Sequence, residues 1–429
     1  SLDRTYQYGI PDELIDTAVI GALVVVPFGK GTRKINGYIV GLSDSPKVDP
    51  GMIKPIFKVE NAPVIESHLI YLAYWIKENF GGTMNDALKT VMPFRKEVKG
   101  KQLRSISLAV AQEEAARLCM EFKKKNNRAK VRLLEALMDE GSIDYSRAVG
   151  DLKIPRPTLE QLSSQNIVKI SSEQIYRNPI KNQAAECKKI QLNDSQRFIV
   201  EDFIKEYNEG IRATYLIHGI TGSGKTEVYM EIISSVINSG KQVIVLIPEI
   251  ALTYQTVSRF YMRFGDRVSI MNSRMSQGER YDQSLRAKNG EIDIIIGPRS
   301  ALFTPFTNLG LIIIDEEHEY SYKSESVPKY HAVDVAVKRA QLTGSSVILG
   351  SATPSLESYL KAKKGDIRLY TLKHRAKKAK EPTISIVDLR EELKKKNKSI
   401  FSSKLKELMI DRLSRGEQIM LFLNRRGYA

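Results

Sequence analysis

Gly219-Ile220-Thr221-Gly222-Ser223-Gly224-Lys225-Thr226 is the stretch whose reading decides the fold. It carries the GxxxxGKT spacing of a phosphate loop between an apolar run at 215–217 and a helix-forming segment starting near Lys225. That strand–loop–helix setting is the one the pattern requires. The glycines let the backbone wrap phosphate oxygens with its amides pointing inward, and the following helix adds the positive end of its dipole. Lys225 is expected to reach the β- and γ-phosphates of ATP, and Thr226 to hold Mg2+. The alternative, a glycine-rich turn of no consequence, fits a full GxxxxGKT in this setting poorly.

Around this loop, apolar runs at 215–217, 243–247, 268–271, 292–296, 311–314 and 347–349 alternate with helical segments. Nearly all-apolar strands of this kind suit a parallel sheet covered on both faces, and chemistry in such sheets gathers at the carboxyl ends of the strands. Asp315-Glu316-Glu317-His318 closes the 311–314 run. Asp315 is placed to bind Mg2+, and Glu316 to orient and deprotonate an attacking water. An ordinary acidic loop is the competing reading, weakened by the phosphate loop upstream. Gln196 is placed to hydrogen-bond an adenine edge, unless it is a surface glutamine on a helix. Pro248 to Thr253, the Gly297-Pro298-Arg299 turn and Ser351-Ala352-Thr353-Pro354 follow three further strands. Short polar and basic residues there, Arg299 among them, suit successive phosphates of one DNA strand. Ser351 and Thr353 are placed to couple the hydrolysis site to that track.

Upstream, residues 1–100 read as mostly β, with β-branched runs such as Val24-Val25-Val26 bounded by Gly and Pro. A helix follows at 67–80 and is stopped by Gly81-Gly82. Residues 101–180 read as a small helical module: 131–138 is periodic at helix spacing, a short helix lies near Tyr145, and another covers 157–162. The runs 167–170 and 174–176 suggest a two-stranded wing, giving a winged helix; a helical spacer would produce the same pattern. Residues 190–390 form the phosphate-loop lobe. Residues 391–429 read as the start of a second lobe, cut short just after an expected strand at 419–423.

Bulk properties agree with a motor that works on a polyanion. The 429 residues carry a formal charge of +16, with 42% hydrophobic and 27% charged residues, the proportions of a globular chain. No apolar run is long enough to cross a bilayer, and the first residues have no secretory pattern. Cys119 and Cys187 have no metal-ligand spacing, which fits a reducing compartment. The basic runs at 373–378 and 394–396 read as solvated surface.

The DEEH box, IPEIALTYQ (247–255), GPRSALFTPF (297–306), LGSATPSLES (349–358) and FLNRRGYA (422–429), with EYSYKSE (319–325) and KYHAVDVA (329–336) between them, resemble the PriA family of replication-restart superfamily 2 DNA helicases. The resemblance runs from Arg4-Thr5-Tyr6 to the last residue. It implies an α/β fold: a RecA-like phosphate-loop lobe preceded by a mostly-β domain that binds DNA 3′ ends and a winged-helix domain. It also implies a 3′-to-5′ helicase, driven by ATP and Mg2+, that recognises stalled or abandoned replication forks and initiates primosome assembly. A DNA translocase without strand separation, or a fork-binding scaffold with a secondary ATPase, are the alternatives.

By the same resemblance Val26 to Gly29 and Arg4-Thr5-Tyr6 line a 3′-end pocket. Tyr6, Gly29 and Lys54 are its candidate contacts, with Tyr6 stacking on the terminal base. Tyr320, Tyr322 and Lys323, with Lys329-Tyr330-His331, match an aromatic-rich loop that couples DNA contact to hydrolysis. Gln7 and Val333 depart from the family pattern, the first where an acidic residue is expected and the second where an arginine is usual. The implied partners are forked and single-stranded DNA, primosome and replicative-helicase loading proteins, and single-stranded DNA-binding protein, in a bacterial cytoplasm close to the nucleoid and away from membranes. Zn2+ is expected only in a cysteine-rich insertion of the second lobe, beyond this chain, and without that lobe the fragment is expected to hydrolyse ATP poorly.

Overall fold

The computed structural model of the protein describes residues 5–29, 33–46, 48–60, 64–92, 101–175, 191–273, 275–376 and 382–423. They fall into two compact units, 1–377 and 378–429. Three sheets organise the described residues of the first unit. The front sheet has β1 (Leu23–Pro27) in the middle, antiparallel to β2 (Lys34–Tyr38) on one side and β3 (Lys58–Val59) on the other. Val24 and Val26 bury one face of β1 against Ala18 and Ile56, as β-branched residues on a pleated surface should.

Helix Ser67–Phe80 has the limits expected from its sequence. Leu69, Leu72, Ala73 and Ile76 fall at i, i+3, i+4 and i+7, so they make one apolar stripe. Thr83 and Asp86 then form a reciprocal capping box that starts helix Met84–Val91. The stripe packs together with Ala87 and Val91 against Phe303, Phe306, Ala332 and Val335 of the large lobe, in one continuous core. Arg339 closes this junction. Its buried guanidinium donates to the carbonyls of Leu302 and Thr304 and faces His68 Nε2 at 3.4 Å. Burial and the neighbouring Arg339 push the His68 imidazole down to about 3.

The second sheet contains β4 (Lys101–Leu108), β5 (Ser142–Asp144) and β6 (Val168–Ile175), ordered β5-β4-β6 and antiparallel. Helices Gln112–Lys124, Arg128–Glu140, Tyr145–Gly150 and Arg156–Ser164 bury Leu133, Leu134, Leu137, Leu159 and Leu162 with Ile106 of β4. The expected two-stranded wing at 167–176 does not form. Residues 168–175 run as one strand because no turn-forming Gly, Pro or Asn interrupts them, and their partner is β4, some sixty residues upstream. Tyr176 and Cys187 lie outside the described residues.

The third sheet holds seven parallel strands in the order β13-β7-β12-β11-β8-β10-β9. In chain order these are β7 (Thr214–Gly219), β8 (Gln242–Leu246), β9 (Val268–Ile270), β10 (Ile294–Gly297), β11 (Leu309–Asp315), β12 (Ser346–Ser351) and β13 (Arg368–Leu372). All six apolar runs read as strands from the sequence lie in this sheet. The edge strand β13 was not anticipated, because its exposed Arg368 and Thr371 break the apolar run. Helices cover both faces, and β8, β10, β11 and β12 are buried almost throughout.

In the second unit, helices Leu389–Lys394 and Ser403–Ser414 are joined by Glu392, whose carboxylate accepts hydrogen bonds from the Ser403 amide and hydroxyl and from Asn397. The strand expected at 419–423 does not form. A strand needs a neighbour to bond with, and the described residues of this unit contain no sheet.

Candidate functional site

Strand β7 ends at Gly219, and the chain turns through the phosphate loop into helix Lys225–Asn238. Gly224 takes φ +83°, and a Cβ there would stand 2.2 Å from Gln196 Nε2, so this position admits glycine for both conformation and space. Lys225 is nearly buried; its ammonium donates to the Gly219 carbonyl at 2.8 Å and lies 3.9 Å from the Glu316 carboxylate. The Ser223 hydroxyl is buried without a hydrogen-bond partner among the described residues.

Gln196 sits behind this loop rather than beside an open cleft. Its amide oxygen accepts from the Asn193 amide at 2.9 Å, and its Nε2 donates to the Ser223 carbonyl at 2.9 Å. It is 3% exposed. The adenine-edge contact expected from the sequence is therefore not what this structure shows. The side chain closes the capping box of helix Asp194–Asn208 and braces the loop from behind.

Asp315 stands at the end of β11, one strand removed from β7, with β12 between them. Its carboxyl group is pushed up to about 6, first by burial and then by the neighbouring Glu316, against the opposing pull of Lys225. Tyr229, one helical turn beyond Lys225, donates its hydroxyl to Asp315 Oδ1 at 3.1 Å. Tyr322 donates to the Asp315 carbonyl at 2.7 Å. Glu316 takes φ +48°, a left-handed conformation uncommon for a residue with a Cβ and often kept where function demands it. The sequence therefore brings Lys225, Asp315 and Glu316 together as expected for a phosphate-handling site.

His318 and Glu317 tie this loop to the end of β12. His318 Nδ1 lies 2.7 Å from Ser351 Oγ, which also accepts the Thr353 amide at 2.9 Å. Ser351 and Thr353 thus share one hydrogen-bond chain with the DEEH box. Glu317, given no role from sequence, is 2% exposed. Its carboxylate accepts the Ser355 amide at 2.7 Å, the Ser355 hydroxyl at 3.1 Å and the Ser358 hydroxyl at 3.0 Å. Its signal was a third acidic residue in a box where two already had tasks, with serines at i and i+3 opening the following helix.

The candidate DNA contacts divide. Tyr320 is 72% exposed and Lys323 lies at the surface. Arg299 donates to the Ser321 carbonyl at 3.0 Å and so holds the tyrosine segment in place. Tyr322 is not available for stacking: it is 1% exposed and spends its hydroxyl on Asp315. Tyr330 is buried as well, edge-on to Phe303 with ring centres 5.6 Å apart. An aromatic pattern alone does not separate rings that support a loop from rings that present a face. Val333 packs into the core of the lobe, which accounts for an apolar residue there.

At the front sheet, Tyr6 meets Phe28 edge-on at 5.5 Å, and Lys54 Nζ donates to the Gly29 carbonyl at 2.9 Å. Tyr6, Gly29 and Lys54 therefore gather at one end of β1. Arg4 lies outside the described residues. Among the described residues no group of three or more His, Cys, Asp or Glu side chains is arranged to hold a metal ion.

Comparison with known proteins matches residues 189–356 to the family described as the res subunit of type III restriction enzymes. Residues 1–93 match the 3′ DNA-binding domain family named for PriA. Replication restart protein PriA of Bacillus subtilis is 34% identical over 494 aligned positions, which take in 100% of this chain and 61% of that protein. The PriA proteins of Chlamydia pneumoniae and Haemophilus influenzae are 34% and 33% identical over 100% of this chain and 57% and 58% of theirs. The chain thus spans about three fifths of the length of these relatives. RecG bound to a three-way DNA junction is 24% identical over 45% of this chain and 25% of that one, with a TM-score of 0.34.

Proposed function

Because this chain belongs, along its whole length, to the PriA family of replication restart proteins, we propose that the protein is an ATP-driven 3′-to-5′ DNA helicase that recognises stalled or abandoned forks and starts primosome assembly. The observation that carries this reading is the convergence of Lys225 beyond β7 with Asp315 and Glu316 at the end of β11, joined through His318 and Ser351 to the end of the intervening strand β12. Residues 219–226 hold the triphosphate, and Thr226 and Asp315 hold Mg2+. A buried carboxyl group raised by a neighbouring carboxylate fits a cation, which relieves both the burial and the like-charge repulsion.

ATP with Mg2+ supplies the transferable phosphoryl group. Lys225 neutralises charge at the phosphates, and Glu316, turned out of the strand by its left-handed backbone, orients the attacking water. The chain from His318 through Ser351 to Thr353 passes the state of this site to the DNA-facing strand ends. Arg299, Tyr320 and Lys323 contact the tracked strand, and Tyr6, Gly29 and Lys54 receive the nascent 3′ end. The organisation proposed is 1–100 for end binding, 101–180 as a winged helix with the sheet β5-β4-β6 in place of the hairpin expected at 167–176, 190–390 as the first motor lobe and 391 onward as the second. Proposed partners are forked and single-stranded DNA, single-stranded DNA-binding protein and the loaders of the replicative helicase, in the bacterial cytoplasm. No helix among the described residues is long and apolar enough to cross a membrane.

Unwinding of a short forked duplex by the whole protein, with Lys225→Ala beside it, tests the reading. The wild type is expected to separate strands, and the variant to lose at least roughly a hundredfold in rate, in keeping with removal of a transition-state charge partner. Movement along duplex without strand separation would favour the translocase. Fork restart that survives Lys225→Ala would favour the scaffold.

A further inference from the structure

The hydroxyl of Tyr229 has a specific address. The side chain is 1% exposed, on the phosphate-loop helix one turn after Lys225, and its hydroxyl meets Asp315 Oδ1 at 3.1 Å. Residues at i and i+4 share a helix face, so Lys225 and Tyr229 both present to the end of β11. The opposite wall is backbone. Gly350 of β12 pairs with Asp315 in the sheet register, and a Cβ on Gly350 would lie 1.6 Å from the Tyr229 hydroxyl oxygen and 2.8 Å from its Cζ. The ring reaches Asp315 only because position 350 carries no side chain.

We infer that Tyr229 is a positioning residue for the cation site: its hydroxyl, admitted by Gly350, fixes the rotamer of the Asp315 carboxylate and leaves Oδ2 as the oxygen presented to Mg2+. A hydrogen bond that orients a metal-ligating carboxylate changes metal affinity by 10- to 100-fold in comparable sites. Tyr322 holds the same residue by its main-chain carbonyl, at 2.7 Å, and so fixes the backbone while Tyr229 fixes the carboxylate. This inference rests on the reading of Asp315 as a cation ligand.

The test uses the whole protein and a fluorescent ATP analogue, titrated with Mg2+ and also bound in EDTA. Tyr229→Phe removes one oxygen from a packed ring. It is expected to raise the Mg2+ concentration for half-maximal effect by on the order of tenfold, with metal-free nucleotide affinity and binding to single-stranded DNA unchanged. Gly350→Ala is expected to shift the Mg2+ midpoint in the same direction by displacing the ring. If that variant fails to fold, Tyr229→Phe decides alone. A Mg2+ midpoint in Tyr229→Phe equal to wild type, or a loss of metal-free affinity equal to the loss with Mg2+, overturns the inference. Asp315→Asn separates the two layers: if it leaves the Mg2+ dependence intact, the cation-site reading itself fails. If it abolishes that dependence while Tyr229→Phe is silent, only the role of Tyr229 falls.

Discussion

At the ends of β7, β11 and β12, Tyr229, Tyr322, His318, Glu317 and Gln196 each bond to a protein partner within 3.1 Å, and most are buried. At the end of β1 the corresponding cast is open: Tyr6 is 46% exposed, and Lys54 reaches across the surface to a backbone carbonyl. The first region is preorganised. Its polar groups are fixed before any ligand arrives, as stabilising a charge that develops only in the transition state requires. The second keeps a ring face and an ammonium in water, which suits capture of a strand end whose base and phosphate arrive together. A change in the first region should therefore damage the fold along with the chemistry, and a change in the second should damage binding alone.

The largest effect that would break this contrast is expected at Glu317. Glu317→Ala strands the Ser355 amide and two hydroxyls in a buried site, and should cost about 3 kcal/mol of stability. Thermal unfolding of the whole protein should show a midpoint several degrees lower, while affinity for DNA 3′ ends below that midpoint is unchanged. An unchanged midpoint would mean that this network is not structural. Tyr6→Ala is the mirror image. It should weaken binding to a fork with a free 3′-hydroxyl nascent end by roughly tenfold, the lower part of the range for losing a stacked base, and leave the unfolding midpoint where it was. Equal affinity for forks with and without that end, already in the wild type, would remove the pocket.

The smallest effect sharpens the comparison at the seam between the two regions. The folded-state value of His68, pushed down to about 3, lies below its ordinary 6.5. The unfolded chain therefore takes up a proton as pH falls through 6.5, and the folded chain refuses it until near 3. Stability should be level above neutrality and decline from pH 6.5 downward. His68→Gln should flatten the part of that decline that wild type shows between pH 7 and 5; an identical slope in both proteins would assign it elsewhere.

The phosphate-loop lobe and the helix before it were legible because their signals are local. A phosphate loop, a carboxylate pair after an apolar run and helix 67–80 each declare themselves within one short, continuous stretch of chain. What escaped was set by distant partners. Strand β6 pairs with β4 rather than folding back into a wing. Gln196 is captured by the Ser223 carbonyl twenty-seven residues on. Tyr322 and Tyr320 are two positions apart in a short 3-10 turn, yet one is 1% and the other 72% exposed, a difference set by Asp315 and the packing around it. Nothing near Tyr229 in the chain reveals that a glycine over a hundred residues away makes room for its hydroxyl.

Helix Ser67–Phe80 carries a consequence for how such a protein can change over time. Leu72, Ala73 and Ile76 are wholly buried in a core that they share with Phe306 and Val335 of the lobe. The segment 67–92 is thus not a bead on a string that recombination can exchange. A replacement would have to bring an apolar stripe of the same shape, and a histidine or its equivalent opposite Arg339. Residues 67–92 and the seven-stranded lobe are bound to be inherited as one piece, because they share an interior rather than a linker.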